Sequence, residues 1–146
     1  MIKHKSGSLT FYIPDATAQS RAHFFDAGIS AGFPSPAEDF KEERLSLDET
    51  LVKNKEATFY ARVSGQSMIG AGLDDNDLLV IDRSLEPANN KIAVCFLDGE
   101  FTVKRLRVEK EEVWLQPENP NYPIIKITED NNFLIWGIVT NVIKKV

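Results

Sequence analysis

The chain has 146 residues, 42% of them hydrophobic and 27% charged, with a formal net charge of -5. That is long enough for one globular domain with a buried core, and its acidic balance lacks the basic footprint that strong direct DNA binding needs. A single cysteine, Cys95, excludes an internal disulfide framework and a cysteine-based zinc site, and no apolar run approaches the roughly 18 residues of a membrane span.

The N-terminal MIKHKSGSLTFYIP is basic but is followed by no continuous apolar stretch. It does not read as a signal peptide, so a cytoplasmic location is expected. Residues 1–31 carry little continuous periodicity; within them Ala16–Gly28 fits a short helix, with Phe24 and Phe25 seeking a surface. In Ile29-Ser30-Ala31-Gly32-Phe33-Pro34-Ser35-Pro36, two prolines one residue apart force an extended, non-helical segment. A protease cleft binds that backbone form, because its donors and acceptors stay free. Ala37–Lys53 reads as helical, with Phe40, Leu45, Leu47 and Leu51 set among carboxylates such as Glu38-Asp39 and Glu42-Glu43 on a solvated face.

From Thr58 onward the pattern is that of strands. Thr58–Val63, Leu78–Asp82, Lys91–Leu97, Glu100–Leu106, Val113–Gln116, Pro123–Ile127 and Phe133–Ile143 are rich in β-branched and aromatic residues and are bounded by turn formers. Asp98-Gly99 between two such runs predicts a tight hairpin, because both central residues must take positive φ. Strands and helices do not alternate, so the expected fold is mostly β: a compact antiparallel fold with an N-terminal arm.

Two places carry chemistry. Val63-Ser64-Gly65-Gln66-Ser67-Met68 follows a strand directly. Gly65 permits a sharp turn and a close backbone approach, which would leave Ser67 exposed beside backbone N–H groups able to hold an oxyanion. Taken alone, S-G-x-S is more often a plain turn. The second place is Glu100–Leu106, where strand alternation sets Phe101 and Val103 on one face and Thr102, Lys104 and Leu106 on the other. A strand lysine usually snorkels at the surface. Held in an apolar site it loses its proton more readily, and a neutral amine can take the proton of a serine hydroxyl. Both histidines, His4 and His23, lie in the N-terminal region, so a Ser–His–Asp site is disfavoured. Cys95 reads as a small buried hydrophobe, Asp74, Asp75 and Asp77 as turn residues without a calcium-loop framework, and Asn119-Pro120-Asn121 as a turn.

V-S-G-Q-S-M, then G-L-D-D-N-D-L-L-V-I-D, then D-G-E-F-T-V-K-R-L resembles the LexA/UmuD family of serine peptidases. The resemblance reaches upstream to Ala31-Gly32-Phe33-Pro34-Ser35-Pro36 and covers roughly residues 27–146. By it, Ser67 corresponds to the nucleophile, Lys104 to the general base, and Ala31–Gly32 to the scissile bond of a self-cleaving protein that uses no metal or cofactor. It further implies residues 1–31 as an arm removed by self-cleavage, 32–55 as a linker with a short helix, and 56–146 as the β-rich peptidase domain. The partners it implies are a second copy of the chain in a homodimer, the RecA–single-stranded-DNA filament as co-protease in the SOS response, and a UmuC-type Y-family translesion polymerase, with no membrane partner. Two departures stand out: Asn76 replaces a glycine common in relatives, in a turn that asparagine can still make, and Gly70-Ala71-Gly72 lacks an acidic residue common after the serine motif. Three alternatives remain at this level. A LexA-type repressor would need a helix-turn-helix before residue 32, and none is recognisable; a signal peptidase would need a membrane anchor; a non-catalytic phage or plasmid binding module would not need both Ser67 and Lys104.

Overall fold

The computed structural model describes residues 3–6, 9–14, 21–25, 31–32 and 42–146. The chain divides into two units, Met1–Asp15 with Asn54–Val146, and Ala16–Lys53.

The larger unit is built on a nine-stranded sheet. Its strands are β1 (Lys3–Ser6), β2 (Leu9–Tyr12), β5 (Thr58–Val63), β6 (Leu78–Asp82), β7 (Ile92–Leu97), β8 (Glu100–Glu109), β9 (Glu112–Gln116), β10 (Ile125–Lys126) and β11 (Phe133–Ile143). Their order across the sheet is β1-β2-β5-β6-β11-β7-β8-β9-β10, and every neighbouring pair is antiparallel. The mostly antiparallel β-fold expected from the sequence is therefore the one observed. Strands β1 and β2 were not assigned by pattern; β2 lies against β5, with Leu9 opposite Val63 and Phe11 opposite Ala61.

The β7–β8 hairpin turns as predicted, with Asp98 at φ 48° and Gly99 at φ 93°. A second hairpin of the same positive-φ kind, at Lys110 and Glu111, joins β8 to β9. Asn76 takes φ 72°, so the turn that lacks the relatives' glycine survives through asparagine. Expected strand 123–127 is reduced to Ile125–Lys126.

Side chains alternate across the sheet and make a core on each face. Leu9, Phe11, Ala61, Met68, Leu79, Ile81, Val94 and Val103 form one cluster. Ala93, Cys95, Leu106, Leu115 and Ile138 form the other. Phe11, Phe101 and Trp136 pack edge to face at 5.0–5.7 Å beside the first cluster. Burial of a Leu or Phe side chain contributes about 1.5–3 kcal/mol, so these clusters hold the strands that carry the site.

The smaller unit corrects two helix expectations. Arg21–Phe25, inside the predicted helix 16–28, is strand β3, and it pairs antiparallel with β4 (Glu42–Ser46), inside the predicted helix 37–53. Among the described residues of the two segments, helix survives over α1 (Leu47–Leu51), where the Ser46 hydroxyl accepts the Glu49 N–H at 3.4 Å as the N-cap. The physical reason is pairing: an isolated turn or two of helix is marginal in water, whereas two short segments can satisfy each other's backbone as a ladder. Glu42 and Glu43 thus lie on a strand, and residues 33–41, including Glu38, Asp39 and the Pro34/Pro36 pair, lie outside the described residues.

Candidate active site

Strand β8 positions Lys104. Its cross-strand partner is Ala93, and that of Thr102 is Cys95, so the four residues share one face of the sheet. Leu106 lies in the same cluster as Ala93 and Cys95, and Val103 in the cluster of the opposite face, as the alternation predicted. Lys104 is only 8% exposed.

The turn after β5 brings Ser67 to it. Gly65 has φ 109°, a conformation that other residues adopt only under strain, and its N–H donates to Asp75 Oδ1 at 2.9 Å. The expected close backbone approach at Gly65 does not occur: a Cβ there would meet nothing within 4 Å. Nor is Ser67 exposed; it is half-buried, and Met68 beside it is anchored in the core. Buried anchoring on one side and a glycine turn on the other fix where the hydroxyl points.

The Lys104 amine lies 3.1 Å from Ser67 Oγ. Its other two contacts are Thr102 Oγ1 at 2.7 Å and the Val103 carbonyl at 3.1 Å. An ammonium has three N–H donors, and three acceptors meet it here. A neutral amine has two donors and a lone pair. With Thr102 and Val103 taking the donors, the lone pair is left facing Ser67, ready to accept its proton. Burial pushes Lys104 below the ordinary lysine range. The neighbouring Cys95 would oppose that only as a thiolate, and burial pushes its thiol up to about 12. Cys95 therefore supplies no counter-charge and behaves as the small buried hydrophobe expected.

A loop after β9 braces the serine turn from outside. The Glu118 N–H donates to the Ser67 carbonyl at 2.8 Å, and the Glu118 carbonyl accepts the Gly70 N–H at 2.7 Å. The buried Asn119 amide donates to the Gln66 carbonyl at 2.9 Å. A Cβ on Gly70 would stand 2.5 Å from the Glu118 carbonyl oxygen, so glycine at this position permits the contact. Among the described residues, the Ser67 and Met68 N–H groups have no protein acceptor. An open cavity of about 470 Å³ adjoins the turn, lined in part by Gly70, Glu118, Asn119, Tyr122 and Ile124. In the sequence nothing marks Glu118 or Asn119 as more than residues of a turn; for Thr102 the one signal is strand alternation, which puts it on the face of Lys104.

Ala31 and Gly32 belong to the smaller unit, where they form an exposed bend with Gly32 at φ 106°. At these two positions the backbone bends where an extended run was expected.

A buried lysine against a serine hydroxyl, on an antiparallel sheet, is an arrangement suited to hydrolysis without histidine. The Peptidase S24-like family model matches residues 24–140, and the chain belongs to that family, whose activity is of the serine-peptidase kind. Within it the chain is UmuD-like: it is 41% identical to protein MucA of Salmonella typhimurium over 131 residues, 87% of this chain and 89% of MucA. It is 42% identical to protein SamA of S. typhimurium strain LT2 over 127 residues, 87% of this chain and 88% of SamA. The LexA repressor of Delftia acidovorans is 36% identical over 116 residues, which make up 80% of this chain and 51% of the repressor. Among the described residues no helix is long and apolar enough to cross a membrane.

Proposed function

We propose that this chain is a self-cleaving switch of the SOS response, cutting its own Ala31–Gly32 bond with Ser67 as nucleophile and Lys104 as general base. The observation that carries this reading is the 3.1 Å contact between Ser67 Oγ and a lysine amine that burial favours in its neutral form. Neutral Lys104 takes the Ser67 proton as Oγ attacks the Ala31 carbonyl carbon. The oxyanion that forms is served by the Ser67 and Met68 N–H groups of the turn. The intermediate collapses by breaking the bond to Gly32, and the Lys104 ammonium returns its proton to the leaving amine. Water then hydrolyses the Ala31 ester on Ser67, with Lys104 again as base. Within one chain, or between the two copies of a dimer, the bond is held near a dyad, so the effective concentration is high and a modest catalyst suffices.

Similarity to MucA and SamA, with the motifs around Ser67 and Lys104, supports placing this cleavage under control of the RecA–single-stranded-DNA filament. The same similarity supports a homodimer of the shortened chain, residues 32–146, as the accessory subunit of a UmuC-type translesion polymerase. Removal of residues 1–31 is then the switching event.

The test is intact-mass analysis after incubation at alkaline pH, beside a Ser67→Ala control. The expected product is a fragment that begins at Gly32 and requires Ser67. The same fragment from the control, or none even with RecA, nucleotide and single-stranded DNA, would overturn the reading.

A further inference from the structure

We infer that Glu118 is a positioning residue, one that ties the serine turn to the lysine strand through Arg105. This rests on the reading of Ser67 and Lys104 given above. Arg105 is the residue after Lys104 on β8, and its Nε donates to the Glu118 carboxylate. Its Nη1 donates to the Asn90 carbonyl at 2.7 Å, so the guanidinium is held at both ends. The backbone of Glu118 in turn grips the serine turn at two points, the Ser67 carbonyl and the Gly70 N–H. One residue therefore holds the turn that carries the hydroxyl at Ser67 itself and again at Gly70, while its side chain is anchored one position from the amine. Both side chains are about three-quarters covered, at 25% and 24% exposure, so the pair is better shielded than an open surface ion pair.

The tie matters because the Ser67–Lys104 contact joins elements far apart in sequence. The serine turn hangs between β5 and β6, the lysine belongs to β8, and β11 and β7 lie between β6 and β8 in the sheet. A shift of about 1 Å in such a contact can cost about a hundredfold in rate.

The experiment compares Glu118→Ala, Glu118→Gln, Arg105→Ala and the double alanine variant in two ways. The first is the self-cleavage rate on the alkaline plateau. The second is the Lys104 titration, followed by ¹³Cε NMR in a Ser67→Ala background, which needs no cleavage. Glu118→Ala keeps the backbone hydrogen bonds but cuts the turn's side-chain tie to β8 and admits water to Lys104; it loses the same charge as Glu118→Gln, so relative to that variant its Lys104 midpoint should rise, and cleavage should slow about tenfold. Arg105→Ala should slow cleavage to the same extent, and the double variant no further than either single, since both remove one link. Glu118→Gln keeps an acceptor for Arg105 Nε and should stay within about threefold of the wild-type rate. It leaves the Arg105 charge unbalanced, which can only lower the Lys104 midpoint. Cys95 of β7 titrates too high to confuse the curve. A Lys104 midpoint in folded Glu118→Ala no higher than in Glu118→Gln, or additive losses in the double variant, would overturn the inference. If wild-type protein fails to cleave while the Glu118→Ala midpoint still lies above that of Glu118→Gln, the proposed function falls and the tie stands.

Discussion

Thr102 Oγ1 lies 2.7 Å from the Lys104 amine, nearer than the Ser67 hydroxyl at 3.1 Å. The Lys104 amine is thus held by its own strand as well as by Ser67. Thr102→Val keeps the shape and removes the acceptor, so the lone pair is no longer directed at Ser67. Self-cleavage should slow about tenfold, the worth of one ordinary hydrogen bond near 1.4 kcal/mol. Thr102→Ser should retain most of the rate. A Thr102→Val protein that cleaves like wild type would show that the Val103 carbonyl and packing suffice to aim the amine.

The rate of self-cleavage should rise with pH until Lys104 is fully neutral and then level off. Burial lowers the Lys104 value, so the plateau should begin below the ordinary lysine range. Single-turnover cleavage measured from about pH 6 to about pH 11 checks this. A midpoint at or above the ordinary value of 10.5 would contradict the burial argument.

The same burial has a consequence for stability. Between the depressed folded value and 10.5, the unfolded chain holds more proton on Lys104 than the folded chain does. Stability therefore climbs with pH across that window, and below it the cost of burying the charge is complete. Lys104→Met removes the cost. It should be more stable than wild type at about pH 7, with the advantage shrinking towards about pH 10. Urea unfolding of both proteins at the two pH values measures the difference. A constant difference would mean that Lys104 titrates alike in both states.

Gly70→Ala should damage the site through contact rather than conformation. The added carbon would stand 2.5 Å from the Glu118 carbonyl oxygen, a backbone atom with little room to retreat. Overpacking of this kind costs about 1–3 kcal/mol. Cleavage should fall at least as far as in Glu118→Ala, because the displaced loop carries both the Ser67 and the Gln66 hydrogen bonds. Thermal melting and cleavage rate, taken together, separate the two losses.

Acid should loosen the turn that leads into β6. Burial pushes the Asp77 carboxyl up, but the Lys144 ammonium and the Asp74 N–H outweigh it and leave the group below its ordinary value. Its contribution is present above 3.8 and is lost as pH falls through the folded value. Asp77→Asn should be less stable than wild type at neutral pH, and the gap should close in acid. Equal gaps at both would assign the loss to something other than charge.

Most of the sheet was legible locally. Thr58–Val63, Leu78–Asp82 and Phe133–Ile143 have the bounds the pattern predicts, and Asp98-Gly99 turns as its two residues require. Taken alone S-G-x-S reads as a plain turn and Lys104 as a surface lysine; the two stand out through their motifs taken together, which resemble the LexA/UmuD family. Arg21–Phe25 and Glu42–Ser46 run as strands inside the helices predicted over 16–28 and 37–53, because helix propensity is local while a ladder depends on its partner: Ala22 pairs with Leu45, and Phe24 with Glu43, across the β3–β4 register.

By itself, then, the sequence determined the strands whose turns announce them and the two motifs that carry Ser67 and Lys104. Only the tertiary structure decided that Lys104 is 8% exposed and within 3.1 Å of Ser67, because burial and approach come from strands that meet out of chain order, β11 lying between β6 and β7. It alone revealed the Glu118–Asn119 brace, since apart from the Asn119 side-chain amide those contacts are made by backbone carbonyls and N–H groups. Every residue carries such groups, so no residue type marks the place where a loop will use them.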